Sequence, residues 1–260
     1  MRDVSQGRCR RQFQFLQRQF LQESALSFAN VLTAETIAPA LKAIDVAWKD
    51  RIYTPLVTLW MFLSQVISAD HSCRSAVARL IAHRLSLGQT ACSAKTGAYC
   101  QARARLPEGF FATTTRLVGR ALEAKVRKKW LWKGRRVYLF DGATVTMPDT
   151  AANQKAFPQT SSAKPGAGFP IARIGVVSSL ACGVVLNMSL CPYAGKGTGE
   201  VSLLRRMWDL LKRGDVLLAD GLMCNWRNLY ELQQRGVAVV TRLNKALRKA
   251  DFRKGTRLGP

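Results

Sequence analysis

Two aspartates are the residues best placed to do chemistry. Val137–Pro148 reads Val-Tyr-Leu-Phe-Asp-Gly-Ala-Thr-Val-Thr-Met-Pro, a short apolar strand over 137–140 with Asp141 at its end. Asp215–Gly221 reads Asp-Val-Leu-Leu-Ala-Asp-Gly, and there Asp220 closes a second short strand. A carboxylate that ends a buried run costs desolvation energy unless a partner offsets it, and a hard divalent cation is one such partner. If the two strands are neighbours, both carboxylates meet at one sheet edge. Such a pair suits two Mg²⁺ ions roughly 3.5–4 Å apart, clamping the attacking and leaving oxygens of a phosphodiester. Taken singly, each has a plainer reading: Asp141-Gly142 can open a turn and Asp220 can cap the next helix. The pair in this strand order shifts the balance toward the cation.

The elements that must position the pair change character along the chain. Apolar residues recur at helical spacing over 13–32, and further helical patterns start at Thr33 (broken or restarted by Pro39) and cover 48–69, 72–85, 93–106 and 110–130. The first 130 residues therefore read as a helical domain. From Val137 onward the pattern is strand-like: 137–140, then a hairpin of 171–180 and 184–190 turning at Gly183, then a helix over 200–211. A strand over 216–219, a helix over 226–234 and a strand over 237–241 complete it. The order is β-β-β-α-β-α-β, and its last strands, joined through a helix, imply a right-handed parallel crossover. Residues 149–169 lack any period and read as a functional or mobile loop. Thr198 is the expected cap of the helix that follows Gly195-Lys196-Gly197.

Charge narrows the partners. With 40 Lys and Arg against 16 Asp and Glu the net charge is +24, which points to a polyanion and first to nucleic acid. Between Arg84 and Arg136 thirteen basic residues face only Glu108 and Glu123. Arg103, Arg105, Lys125, Arg127, Lys128, Lys129, Lys133, Arg135 and Arg136 in that belt are the candidate phosphate contacts. Such contacts make binding salt-dependent without making it sequence-specific. Lys196, before a helix N-terminus, is a further one. Trp130 and Trp132 could stack on an unpaired base, but anchoring the junction between the two parts is the preferred role. Residues 1–12 and 242–260 read as basic tails.

Other chemistries are disfavoured. The seven scattered cysteines form no CxxC pair, so neither a zinc knuckle nor a disulfide framework is signalled, and a reducing cytoplasm fits. Gly195-Lys196 lacks both the earlier glycine and the following Ser/Thr of a P-loop. The run Thr54–Ala69 contains Ser64 and Gln65 and is too short to span a bilayer. No signal-peptide core interrupts the charged first thirty residues.

Taken together, the motifs resemble bacterial insertion-sequence transposases of the IS4 family. The resemblance is carried by Asp141-Gly-Ala-Thr-Val-Thr-Met-Pro-Asp-Thr, Asn153-Gln-Lys-Ala-Phe-Pro-Gln, Lys164-Pro-Gly-Ala-Gly-Phe-Pro and Pro192-Tyr-Ala-Gly-Lys-Gly-Thr-Gly-Glu. Gly214-Asp-Val-Leu-Leu-Ala-Asp and Thr96-Gly-Ala-Tyr-Cys-Gln-Ala-Arg-Ala-Arg-Leu-Pro add to it. It implies a helical DNA-binding domain over 1–130 and a partial RNase H-like catalytic domain over 131–260, an α plus α/β fold with an incomplete mixed sheet. It also implies a DDE acid triad with Asp141 first and Asp220 second, Mg²⁺ (Mn²⁺ substituting) as cofactor, and double-stranded DNA at transposon ends and target as partner. Oligomers with itself or with a full-length relative are implied, and no membrane. The chemistry would be hydrolysis at the transposon end followed by strand transfer. The family's third acid is a glutamate on a later helix, beyond Pro260, and neither Glu200 nor Glu231 matches it. Gly221 also stands where many relatives have Arg. The expectation is therefore a truncated chain defective in cleavage, or a DNA-binding remnant that modulates a full-length relative. An independent nuclease would need another acid, for which Asp149 and Asp215 are the nearby candidates.

Overall fold

A computed structural model describes residues 32–43, 48, 51–159 and 168–243. The helix expected over 13–32 (save Leu32), both basic tails (save Arg242 and Leu243) and the Lys164-Pro-Gly-Ala stretch lie outside the described residues. The chain divides into two compact units, one ending at Leu117 and one beginning at Val118.

The first unit is helical. Helix α1 (Ala34–Lys42) starts at Thr33, whose side chain accepts the Thr36 N–H. Pro39 does not break it, because a proline costs one backbone bond and the helix runs only one more turn. Helix α2 (Pro55–Ile67) begins later than the apolar pattern suggests. Thr54 caps it and Pro55 occupies the first turn, where a missing N–H costs nothing. Ser72 caps α3 (Cys73–Ser86), and α4 (Gly97–Arg105) ends before Pro107. Met61, Ala76, Val77, Leu80 and Tyr99 form the core shared by α2, α3 and α4. Helix α5 (Glu108–Ala124) carries the chain into the second unit.

The second unit is a five-stranded mixed sheet with helices. Its elements are β1 (Val137–Thr146), α6 (Ala151–Ala156), β2 (Ile171–Ser179), β3 (Val185–Pro192), α7 (Glu200–Met207), β4 (Val216–Ala219), α8 (Trp226–Gln234) and β5 (Ala238–Thr241). The sheet order is β3-β2-β1-β4-β5. β2 is antiparallel to β1 and β3, whereas β4 is parallel to β1 and β5. The expected succession of strands and helices holds, with α6 added inside the connection that read as structureless. Thr150 caps α6 by accepting the Asn153 N–H. A larger difference concerns β1, which runs ten residues instead of stopping at Phe140. Thr144-Val-Thr is β-branched, and with Ala143 it continues the ladder with β2, so Asp141-Gly142 opens no turn.

One face of the sheet is covered. Tyr138, Phe140, Val177 and Leu217 pack with Leu203, Leu204 and Met207 of α7 and with Leu232 of α8. Gly142 and Gly175 lie opposite each other on β1 and β2, and both face α7. A Cβ at Gly175 would stand 2.9 Å from the Leu203 Cβ, so the absent side chain sets how closely α7 approaches. On the other face Trp132, Val137, Leu180, Val216, Leu218 and Val240 line a shallow apolar depression of about 150 Å³.

Asp215, at the start of β4, is buried and accepts the Lys212 N–H at 2.7 Å. Burial pushes its carboxyl above the usual range, against the opposing pull of that bond and of Arg136. A raised native pKa means that the folded state binds this proton more tightly than the unfolded chain does. Its contribution is therefore largest below the unfolded-state value and is lost as pH rises through the native one. Urea unfolding across acidic pH is expected to show Asp215→Asn losing this component of pH dependence. Parallel curves for the two proteins would refute the assignment.

Candidate cation and nucleic-acid site

The strand pairing decides the geometry of the aspartates. β1 and β4 pair in parallel as Val137 with Val216, Tyr138 with Leu217 and Leu139 with Leu218, an offset of 79 residues (216 − 137). Asp141 and Asp220 carry the same offset (220 − 141 = 79). The paired residues end at Leu139–Leu218; Asp141 lies two residues beyond that pair within β1, and Asp220 two residues beyond it, where β4 gives way to a 3-10 turn. Parallel neighbours lie about 4.8 Å apart, close enough for two carboxylates to share a cation. Asp141 thus sits inside β1 with respect to β2, facing Val176, and two residues past the last pair with β4.

Both side chains are exposed and each is partly engaged. Asp141 Oδ1 accepts the Gly142 N–H at 2.8 Å and Asp220 Oδ1 accepts the Leu222 N–H at 3.0 Å. Asp220 therefore does cap the following turn, and that role coexists with the paired position. In each carboxylate Oδ2 remains free of any protein hydrogen bond among the described residues. The Thr241 hydroxyl donates to the Asp220 carbonyl, tying the end of β5 to this corner.

These donors fit Mg²⁺ or Mn²⁺ in kind: two carboxylates leave the remaining positions to water and phosphate oxygens, as the smaller ion prefers. No group of three His, Cys, Asp or Glu side chains close enough to hold a metal exists among the described residues. Glu200 is the first residue of α7. Its side chain lies against Gly142, where a Cβ would fall 2.5 Å from the Glu200 Cδ. Successive strand residues face opposite ways, so Glu200 approaches β1 on the face opposite to Asp141. Asp149 is exposed and accepts from Gln154 Nε2, and Asp215 sits at the far end of β4, so neither joins the pair.

The candidate phosphate contacts separate into engaged and free groups. Arg103 donates to Gln65 Oε1 at 3.1 Å and lies over the Phe62 and Tyr99 rings, which makes it part of the helical core. Arg136 pairs with buried Glu123 at 2.6 Å, and that hydrogen bond holds its guanidinium above its ordinary pKa. Arg135 donates to the Gly214 carbonyl at 2.7 Å. These three do structural work that composition could not reveal. Lys125, Lys128, Lys129 and Lys196 are exposed, as is Arg105, which stacks on Trp48. Arg127 lies over Trp130 and Lys133 over Trp132. Both tryptophans are about half exposed. Lys133 has φ of 49° and Gly134 of 77°, the left-handed pair of a tight turn between Trp132 and Arg135.

The Gly195–Glu200 stretch is organised differently from expectation. Gly199 is the N-cap of α7 and offers no side chain, while the Thr198 hydroxyl donates to the Gly195 carbonyl. Arg173 and Arg206 hold the loop through the Thr198 and Gly197 carbonyls. No helix among the described residues is long and apolar enough to cross a membrane. No protein-family model matches the chain, and no curated protein is significantly similar to it.

Proposed function

We propose that the chain is part of a DNA transposase of the IS4 type, with an RNase H-like sheet in which Asp141 and Asp220 hold Mg²⁺ against a phosphodiester and a basic helical part that engages DNA. The observation that carries the reading is the shared register offset of the two aspartates on parallel neighbours β1 and β4. Support also comes from the sheet order β3-β2-β1-β4-β5 with β2 alone reversed, the arrangement an RNase H-like sheet has. The net charge of +24 and the exposed Lys125, Lys128, Lys129 and Lys196 suit a phosphate backbone.

When bound, the cation would supply the activated oxygen nucleophile and stabilise charge at phosphorus. The chain's own part is positional. Asp141 is held by the β1–β2 ladder and its Gly142 hydrogen bond, and Asp220 by its cap on the 3-10 turn. Each is held through Oδ1, and Oδ2 has no hydrogen bond among the described residues. The second reading is a DNA-binding remnant without cleavage that occupies transposon ends or forms mixed oligomers with a full-length relative. It is favoured by the lack of a third acid beside the pair among the described residues.

Mn²⁺ affinity of the whole chain, read from water-proton relaxation, tests the first reading. Asp141→Asn and Asp220→Asn are each expected to weaken it by at least about tenfold, the scale reached by disturbing even outer-shell partners, while Asp149→Asn leaves it unchanged. Equal affinity in all four proteins would discard the cation pair and leave the remnant. Mg²⁺-dependent nicking of a labelled terminal-repeat DNA, lost in both Asn variants, would separate the active form of the first reading from the second.

A further inference from the structure

The helical unit contains a cleft that the aspartate pair does not explain. Trp48, Arg51, Tyr53, Ala98, Gln101 and Arg105 line a cavity of about 420 Å³. A second cavity, of about 530 Å³, shares Arg51, Tyr53, Ala98 and Gln101 and extends to Lys95. Arg51 lines both, Arg105 only the first and Lys95 only the second. Among the described residues no acid lines either cavity, and none of the three cations has a carboxylate partner. Isolated surface cations are ordinary; three spaced along an aromatic-walled cavity are not.

The aromatic wall is set before any ligand arrives. The Trp48 indole N–H donates to the Tyr53 carbonyl at 2.8 Å, and the Arg105 guanidinium lies 5.7 Å from the Trp48 ring centroid. Tyr53 in turn packs against buried Tyr99. Gln101 offers an amide with both donor and acceptor at the cavity floor. Thr96 makes no side-chain cap on α4, and the first two residues of that helix, Gly97 and Ala98, line the second cavity. An aromatic ring, an amide and a line of cations together match a nucleotide: a π-face, an edge that hydrogen-bonds, and phosphates on either side. A duplex keeps its base faces covered by stacking, so it could offer this wall nothing beyond its backbone.

We propose that the cleft walled by Trp48 and Tyr53 takes one unpaired nucleotide of a nucleic-acid strand, with its base on the aromatic wall and the flanking phosphates on Arg51, Lys95 and Arg105. Three cations around two cavities that share four lining residues are what select a strand over a free nucleotide, which has phosphate on one side only. The assignment stands independently of the aspartates and of cleavage. A strand opened beside a site of nucleic-acid processing would present such a nucleotide.

The test is fluorescence anisotropy of a labelled oligothymidylate and of a duplex of equal length on the full chain, in EDTA so that no cation site contributes. Trp48→Ala is expected to weaken the single strand about tenfold, the effect of losing one base–aromatic stack, with duplex binding unchanged and Trp48→Phe close to wild type. Arg51→Ala, at an exposed side chain, is expected to weaken the single strand and lower its salt slope by about one phosphate contact. Single-strand binding unaltered by Arg51→Ala would overturn the proposal even if Trp48→Ala failed to fold. Equal losses on both DNAs in Trp48→Ala would also overturn it. So would thymidine monophosphate competing at the concentration at which the oligonucleotide binds, since that would leave a small-molecule site.

Discussion

Gly119→Ala is expected to destabilise the second unit by about 1–3 kcal/mol, the usual cost of forcing a methyl into a filled contact. Helix propensity alone predicts the reverse, since alanine is favoured over glycine by about 1 kcal/mol inside a helix. The geometry decides which wins. A Cβ at Gly119 would stand 2.6 Å from the Val185 carbonyl oxygen and 3.2 Å from the Leu186 Cα. Both atoms belong to the backbone of β3, so no rotamer change relieves the overlap, and α5 must move off the sheet edge. Chemical denaturation reads the outcome, and a variant as stable as wild type would mean that α5 does not rest on β3 in this way. Gly97→Ala, in α4 with nothing within 4 Å of its new Cβ, is the matched control in which propensity acts unopposed.

Glu123→Ala is the second large effect, with an expected loss of about 2–3 kcal/mol. Glu123 is buried near the end of α5, where its Oε1 pairs with Arg136 at 2.6 Å and its Oε2 accepts from Cys182 Sγ at 3.4 Å. Arg136 Nη1 also donates to the Glu123 carbonyl, so one side chain fastens the helix terminus to the residue before β1. Breaking one partner of a buried ion pair costs about 3–5 kcal/mol. The Arg136 side chain keeps 36% exposure, so solvent recovers part of that cost and the estimate belongs at the lower end or below. A loss under about 0.5 kcal/mol in urea unfolding would reduce the pair to an ordinary surface bridge. The Arg136→Ala loss should be comparable, and the double variant should fall well short of the sum.

What the sequence revealed and what it concealed follow a physical division. Strand and helix types in the second unit were legible because each rests on local periodicity and glycine punctuation: the hairpin at Gly183 and the α7 stripe of Leu204 and Met207 are examples. The proximity of Asp141 and Asp220 was legible only as a conditional, because strand adjacency is a long-range property that no window of residues contains. The extent of β1 was misread because Asp-Gly is a strong turn signal locally, and pairing with β2 along Gly142–Thr146 overrides it. The roles of Arg103, Arg135 and Arg136 were concealed for a related reason. Composition counts guanidinium groups without seeing that Gln65, Gly214 and Glu123 await them. The cleft at Trp48 had no signal at all, since its wall comes from residues on either side of α2 and α3 that meet only when the helices pack.

The mixed sheet also orders its own assembly. The antiparallel β2–β3 pair closes across the short turn at Gly183, whereas β1 reaches β4 across the 79-residue offset. Loop-closure entropy grows with the logarithm of separation, and distant pairings form late. The corner that holds Asp141 and Asp220 is thus expected to form after the hairpin, and a cation able to bridge the two would favour that late pairing as well as the finished protein.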